Sequence, residues 1–198
     1  MTNMFHHGNR QLQDAFESRR IADRLDEFTR NVFTADDRAF IESLPYCFLA
    51  TADAEGRPDC SFKGGTPGFV RVTGANELAF PDYDGNGMFK SLGNIVVNAS
   101  VGLLFIAMHN KPQRLRVNGE ATVSRSDPLL AETVGAQLIV RIKARAIFPN
   151  CPRYVPTMQL IEASIYAPQP RCEPPEPAWK SFATFSDYVH PRQPTFQG

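Results

Sequence analysis

The sequence predicts an α+β protein, mainly β, built as a six-stranded barrel with its helices at the periphery. Three observations predict it. Six or so stretches carry strand periodicity or a continuous apolar run, one helical segment interrupts them, and the other helical periodicity is confined to the N-terminal part. Closure into a barrel is the natural way for such a sheet to remove its exposed edges.

The chain has 198 residues, 42% hydrophobic and 11% aromatic, enough to bury a core without disulfide or metal staples. Lys plus Arg and Asp plus Glu each total 21. With no net charge there is no general field to steer the protein onto nucleic acid or an anionic membrane, so the expected partners are a small molecule and a second copy of the chain. The longest apolar run, Val101 to Met108, is far shorter than the ~20 residues that span a bilayer, and the first residues lack a signal-peptide apolar region. A cytoplasmic location is expected by default. Cys47, Cys60, Cys151 and Cys172 form no Cys-x-x-Cys pair and have no histidine at metal-ligand spacing, so no metal site is expected and the thiols read as free.

In chain order, Leu12, Phe16, Ile21, Leu25 and Phe28 recur at helical spacing among charges, which predicts an amphipathic helix packed on the barrel or on a partner. Thr34 is placed to cap a short helix whose first turn holds Asp36 and Asp37, and which ends near Leu44-Pro45. Tyr46 to Thr51 and Asp59 to Lys63 flank turn chemistry at Ala54 to Pro58 and read as a hairpin. Phe69 to Thr73 and Leu78 to Tyr83 flank Gly74-Ala75-Asn76-Glu77 and read as a second. Met88, Leu92, Ile95 and Val96 share a helical face in a helix running to Asn98.

Val101 to Met108 reads as a strand covered on both faces, and Leu115 to Val123 as an alternating one. A last alternation sets Leu138, Val140, Ile142, Ala144, Ala146 and Phe148 against Arg141, Lys143 and Arg145, the latter on a solvated face. Beyond Asn150 prolines are dense and regular structure should be scarce. The expected organisation is a helical extension over 1–35, a barrel over 36–155 and a Pro-rich tail over 156–198, all in one domain.

Chemistry concentrates in Asp82-Tyr83-Asp84-Gly85-Asn86-Gly87. Small, permissive residues leading into a helix free backbone N–H groups to face an anion. Lys90 in the first helical turn is at odds with the macrodipole unless an anion neutralises it, and Ser91 and Asn94 add donors. A solvated lysine on a plain strand-to-helix turn also fits the sequence. Lys63, with Ser61 two residues before it on the same face and Gly64-Gly65 after it, lines a pocket or blunts an edge strand. Arg114, Arg116, Asn118 and Glu120 form a polar row suited to a subunit interface or to water. No Gly-x-Ser-x-Gly, His-Glu-x-x-His or Walker motif is present and no side-chain acid or base can be assigned, so an enzyme built on this chain would take its reactivity from a cofactor.

The segments Arg57-Pro58-Asp59-Cys60-Ser61-Phe62-Lys63-Gly64-Gly65, Pro67-Gly68-Phe69-Val70-Arg71-Val72 and Leu78-Ala79-Phe80-Pro81-Asp82-Tyr83-Asp84-Gly85-Asn86-Gly87-Met88 resemble the pyridoxamine 5'-phosphate oxidase-related FMN-binding family. The likeness continues through Leu92-Gly93-Asn94, Val101 to Phe105, Leu115 to Gly119 and Phe148 to Tyr154. It implies a split β-barrel whose homodimer holds FMN in the groove between subunits. By that resemblance the phosphate lies at Asn86, Gly87, Met88, Lys90 and Ser91, while Ser61, Lys63, Phe80, Pro81 and Asp82 run beside the flavin. Gln113 and Arg114 reach it from the dimer interface. An FMN-dependent oxidoreductase acting on a small molecule is the implied function, with Lys63 stabilising reduced flavin or a substrate anion. The family's vitamin B6 oxidases carry arginine and histidine near the C-terminus for the substrate phosphate. Here that region is Pro-rich, and His190-Pro191-Arg192 is only a loose echo, so another substrate is implied. A flavin storage or sensor protein, or a barrel using F420 or haem, is the alternative; for haem only His109, Cys60 and His190 offer an axial ligand.

Overall fold

The computed structural model describes residues 4–109, 111–172 and 174–189. Thr34 caps α3 (Ala35–Ser43): its hydroxyl accepts from the Asp37 N–H at 3.1 Å while the Asp37 carboxylate accepts from the Thr34 N–H at 2.8 Å. The helix stops where Pro45 forces Leu44 into an extended conformation.

Upstream, the single amphipathic helix expected from sequence is two, α1 (His7–Ala15) and α2 (Arg19–Asp26), broken at Glu17, whose φ of 50° is left-handed. Leu12, Phe16, Ile21, Leu25 and Phe28 are all at least half exposed, so the apolar face does not pack on the barrel. The extension is tied to the barrel just after α2, where Arg30 exchanges both backbone hydrogen bonds with Ile147 and its guanidinium pairs with Asp37.

The sheet contains β1 (Tyr46–Ala52), β2 (Pro58–Gly64), β3 (Arg71–Val72), β4 (Glu77–Tyr83), β5 (Ser100–Ala107), β6 (Gln113–Ser124) and β7 (Ala136–Asn150). Every pairing is antiparallel, in the order β2-β1-β5-β6-β7-β4-β3. There are therefore seven strands where six were expected, the extra one being the two-residue β3, and the ladder is open between β2 and β3. Inside, one core joins Ile41 of α3 and Leu44 just after it to Leu49, Phe80, Phe105, Val117, Ile142 and Ile147 of the strands. α4 (Lys90–Val97), between β4 and β5, adds Leu92 and Ile95 and packs against β1, β2 and β6.

The expected single phase of β7 does not hold. Gly119 stands opposite Ala144 but Asn118 opposite Ala146, so Arg145 is an unpaired bulge residue. Beyond it the pleat reverses, and Ile147 is fully buried where Ala146 and Phe148 were expected. Gly119 is required there, because a Cβ on it would lie 2.3 Å from the Lys143 carbonyl oxygen. Lys143 and Arg145 are exposed as expected, but Arg141 is not simply solvated: it clasps both oxygens of Asp127 at 2.5 and 2.9 Å and reaches Glu77 at 2.7 Å.

β1 and β2 form the expected hairpin, yet Cys47 faces Lys63 in register and is buried while Cys60 faces Ala50 and is exposed, so the two are on opposite faces and unbonded. Among its described residues the Pro-rich segment contains the single-turn 3-10 helices 178–181 and 186–188 and an isolated bridge between Gln169 and Cys172. His190, Arg192 and 195–198 lie outside the described residues. No described helix is long and apolar enough to cross a membrane.

Candidate functional site

A groove of about 440 Å³ opens where edge strand β2, the end of β4 and the start of α4 meet. Gly85 to Phe89, in the loop after β4, line it. Gly87 (φ 75°) adopts a left-handed conformation open to glycine, whereas Phe89 (φ 47°) holds one that is costly for a side-chain-bearing residue. Phe89 is the N-cap of α4 and no side chain caps it, so the first-turn N–H groups face outward at the positive end of the helix. Lys90 is the first helical residue, and Met88, expected on the helix's apolar face, instead precedes it and is exposed, as is Val96.

Alternation along β2 turns Asp59, Ser61 and Lys63 toward this loop. Ser61 Oγ and Ser91 Oγ lie 2.9 Å apart, and Ser91 also donates to Asp59 Oδ2 at 3.3 Å. Lys63 Nζ is 4.0 Å from Asp82 Oδ1, and Gln137 of β7 donates to Asp82 Oδ2 at 2.9 Å and to the Tyr83 carbonyl at 3.1 Å. Burial pushes the Asp82 carboxyl above its ordinary range, with Gln137 and Lys63 pulling it back.

Ser61, Lys63, Pro81, Asp82, Asn86, Gly87, Met88, Lys90 and Ser91 thus converge on one groove. Phe80 does not: it is fully buried and faces the core. Gln113 and Arg114 lie at the far end of β6, beside the end of β5. Arg114 donates to the Cys151 carbonyl there, and its Nε is buried without a partner among the described residues. Gly65 leaves room for Phe69 rather than for a ligand, since a Cβ would sit 2.7 Å from that side chain, while Gly64 does line the groove. Asp59 and Gln137 were missed as site residues. The alternation of β2 with Ser61 and Lys63 could have found Asp59; nothing local marks Gln137, which reaches the site across the β4–β7 pairing.

Chemically, the groove offers an uncapped helix start with a lysine and hydroxyls for an anion, and beside it a shallow channel floored by Pro81 and Gly64 for a flat group. A phosphate-bearing planar cofactor fits these donors. Of the haem ligands considered from sequence, Cys60 is on the outer strand face and His109 lines a separate cavity with Met158 and Leu160, while His190 lies outside the described residues.

Comparison with known families matches residues 33–167 to the pyridoxamine 5'-phosphate oxidase family. The chain belongs to that family, and its barrel is the family's split β-barrel. Among solved structures, HupZ of Group A Streptococcus is 16% identical with a TM-score of 0.49, over 59% of this chain and 93% of that one. An FMN-binding protein of Syntrophomonas wolfei is 10% identical with a TM-score of 0.45, over 71% and 97%. HutZ, the heme storage protein of Vibrio cholerae, is 18% identical with a TM-score of 0.43, over 58% and 92%. Comparison with curated proteins gives no match.

Proposed function

We propose that this groove binds FMN and that the protein is an FMN-dependent oxidoreductase acting on a small molecule as a homodimer. The observation that carries the proposal is the uncapped start of α4 with Lys90 as its first residue, because a lysine at the positive end of a helix is unfavourable until an anion joins it. Asn86, Ser91 and the Gly87 backbone surround the phosphate, while Ser61, Lys63, Pro81 and Asp82 flank the ring. When bound, FMN supplies the hydride or electron exchange that these side chains lack. Lys63 holds positive charge beside the ring, where it favours an anionic reduced flavin or substrate.

A second copy is called for by the outer face of the sheet. Tyr46 and Phe62 stack there at 5.6 Å with Phe48 edge-on to both, and Phe62 is 61% exposed. Such a cluster suits an interface core. By the family resemblance, Gln113 and Arg114 of one subunit would reach the groove of the other.

The test is the visible spectrum of the purified protein, with added FMN where it is colourless. A two-band flavin spectrum that co-elutes with a dimer supports the proposal, and a colourless protein that ignores FMN sinks it. Anaerobic NADH or NADPH should then bleach the flavin; persistent yellow with either donor would favour a flavin carrier. Lys90→Glu should lose FMN retention by placing an anion beside the phosphate.

A further inference from the structure

The Pro-rich C-terminal segment is fastened to the back of the loop that lines the groove. Lys180, in the 3-10 turn Ala178–Ser181, is buried, with only 8% of its side chain accessible, and its Nζ lies 2.6 Å from Asp84 Oδ2. Glu176 is a second, looser partner at 3.9 Å. Asp84 sits between the groove-lining Tyr83 and Gly85 but does not line the groove itself, so the ion pair grips the loop from behind. The segment also packs on Gly135, which itself lies near Tyr83. Pro168 is buried against Gly135, where a Cβ would lie 2.8 Å from Pro168 Cγ and 3.9 Å from the Tyr83 ring.

Burying an ammonium is expensive, and Asp84 is the carboxylate that offsets it most closely. The pair also leaves no uncompensated acid on the loop meant to receive an anion. We infer that Lys180 is a positioning residue for the anion site: through Asp84 it fixes the loop from Asp84 to Phe89, so that the Gly87 and first-turn N–H groups and Lys90 meet the phosphate of a phosphorylated flavin. The C-terminal segment is thereby part of the cofactor site although it never lines it. This rests on the FMN proposal above.

The experiment measures FMN and riboflavin affinity by flavin fluorescence for the wild type, Lys180→Met, Lys180→Arg and the double variant Lys180→Met/Asp84→Asn. Riboflavin lacks the phosphate, so a misplaced phosphate loop weakens FMN and spares riboflavin, whereas general loosening of the fold weakens both. Lys180→Met should lose about tenfold in FMN affinity, the order expected when one partner of a buried ion pair is removed near a ligand, with riboflavin changed less than about twofold. Lys180→Arg, which can still hold Asp84, should recover most of the loss, whereas the double variant, which has no tether although it leaves no uncompensated acid, should stay weak for FMN and near wild type for riboflavin. Lys180→Met binding FMN like the wild type, or losing FMN and riboflavin equally, would overturn the inference. Should Lys180→Met fail to fold, the double variant decides: FMN affinity lowered with riboflavin spared supports the inference, and wild-type selectivity for FMN over riboflavin overturns it. A wild type that binds neither flavin defeats the FMN proposal itself, and the inference with it.

Discussion

Ser61 Oγ and Ser91 Oγ stand 2.9 Å apart and join edge strand β2 to the first turn of α4, thirty residues further along the chain. This bridge closes one wall of the groove. It also sets the distance between the strand and the helix start that the proposed FMN would span. Ser61→Ala leaves Ser91 its Asp59 acceptor, so urea denaturation should register a loss of only about 0.5–1.5 kcal/mol. FMN affinity should fall as well, since the wall and a donor are lost together.

Asp37 behaves as a paired carboxylate. Burial alone would raise its pKa, but the Arg30 and Thr34 hydrogen bonds outweigh burial and hold it below the ordinary range. A depressed carboxyl stabilises the fold above the unfolded-state pKa of about 4, and that contribution disappears as pH falls through the folded value. Asp37→Asn should therefore cost about 1.5–3 kcal/mol at pH 7, the range for hydrogen bonds to charged groups. The gap from wild type should close below about pH 4, as thermal melts across pH would record.

Asp82 predicts the opposite sign for the same substitution. Its carboxyl is raised, chiefly by burial, so its ionised form weakens the fold above the ordinary carboxylate pKa and its protonated form does not. Asp82→Asn should raise the apo-protein's melting temperature at pH 7 by about 2–4 °C, the equivalent of about 1 kcal/mol in a domain of this size. The gain should vanish as pH falls to about 4. A variant that melts below wild type at neutral pH would show that Lys63 outweighs the burial.

The cysteines report on burial and on the outer sheet face. Cys47 is buried and its thiol is pushed up to about 12 by loss of solvent, with Lys63 pulling slightly the other way. Iodoacetamide at pH 8 should label Cys151 and Cys172 and spare Cys47 until urea is added. Cys60 lies two residues from Phe62 on the aromatic face. Its labelling should fall as protein concentration rises if that face pairs subunits; labelling independent of concentration would place the interface elsewhere.

Gly119→Ala should destabilise by about 1–3 kcal/mol through overpacking, because its Cβ meets backbone at Lys143 and not a side chain that can swing away. The measurement is again chemical denaturation, with Gly102→Ala as a milder comparison whose nearest contact is an Asn118 side-chain atom at 3.4 Å.

Much of this architecture is visible in local chemistry. Thr34 announces its helix because the cap and its acidic partner lie three residues apart, and the β1–β2 hairpin follows from turn residues between two short apolar runs. Asp84 to Lys90 are suggestive because permissive backbone and a misplaced lysine are neighbours. What sequence conceals is set across the fold. Phe80 belongs to the core through β4's position between β7 and β3, not through any feature of its neighbours. Gln137 meets Asp82 across a strand pair, and Lys180 meets Asp84 across ninety-six residues. The break at Glu17 also escapes periodicity, since the apolar spacing continues through it.

The bulge at Arg145 gives β7 a change of parity. In an uninterrupted pleat, two residues five apart must point to opposite sides, yet Ile142 and Ile147 both fill the barrel interior. One inserted position converts an odd interval into an even one. It lets a single long strand serve the half of the barrel closed by β4 and also the half where Arg30 docks. The strand is thus a counted length rather than a freely extendable one. An insertion or deletion between Ile142 and Ile147 would turn Ile147 outward, and would unfasten the N-terminal extension without touching a residue of it.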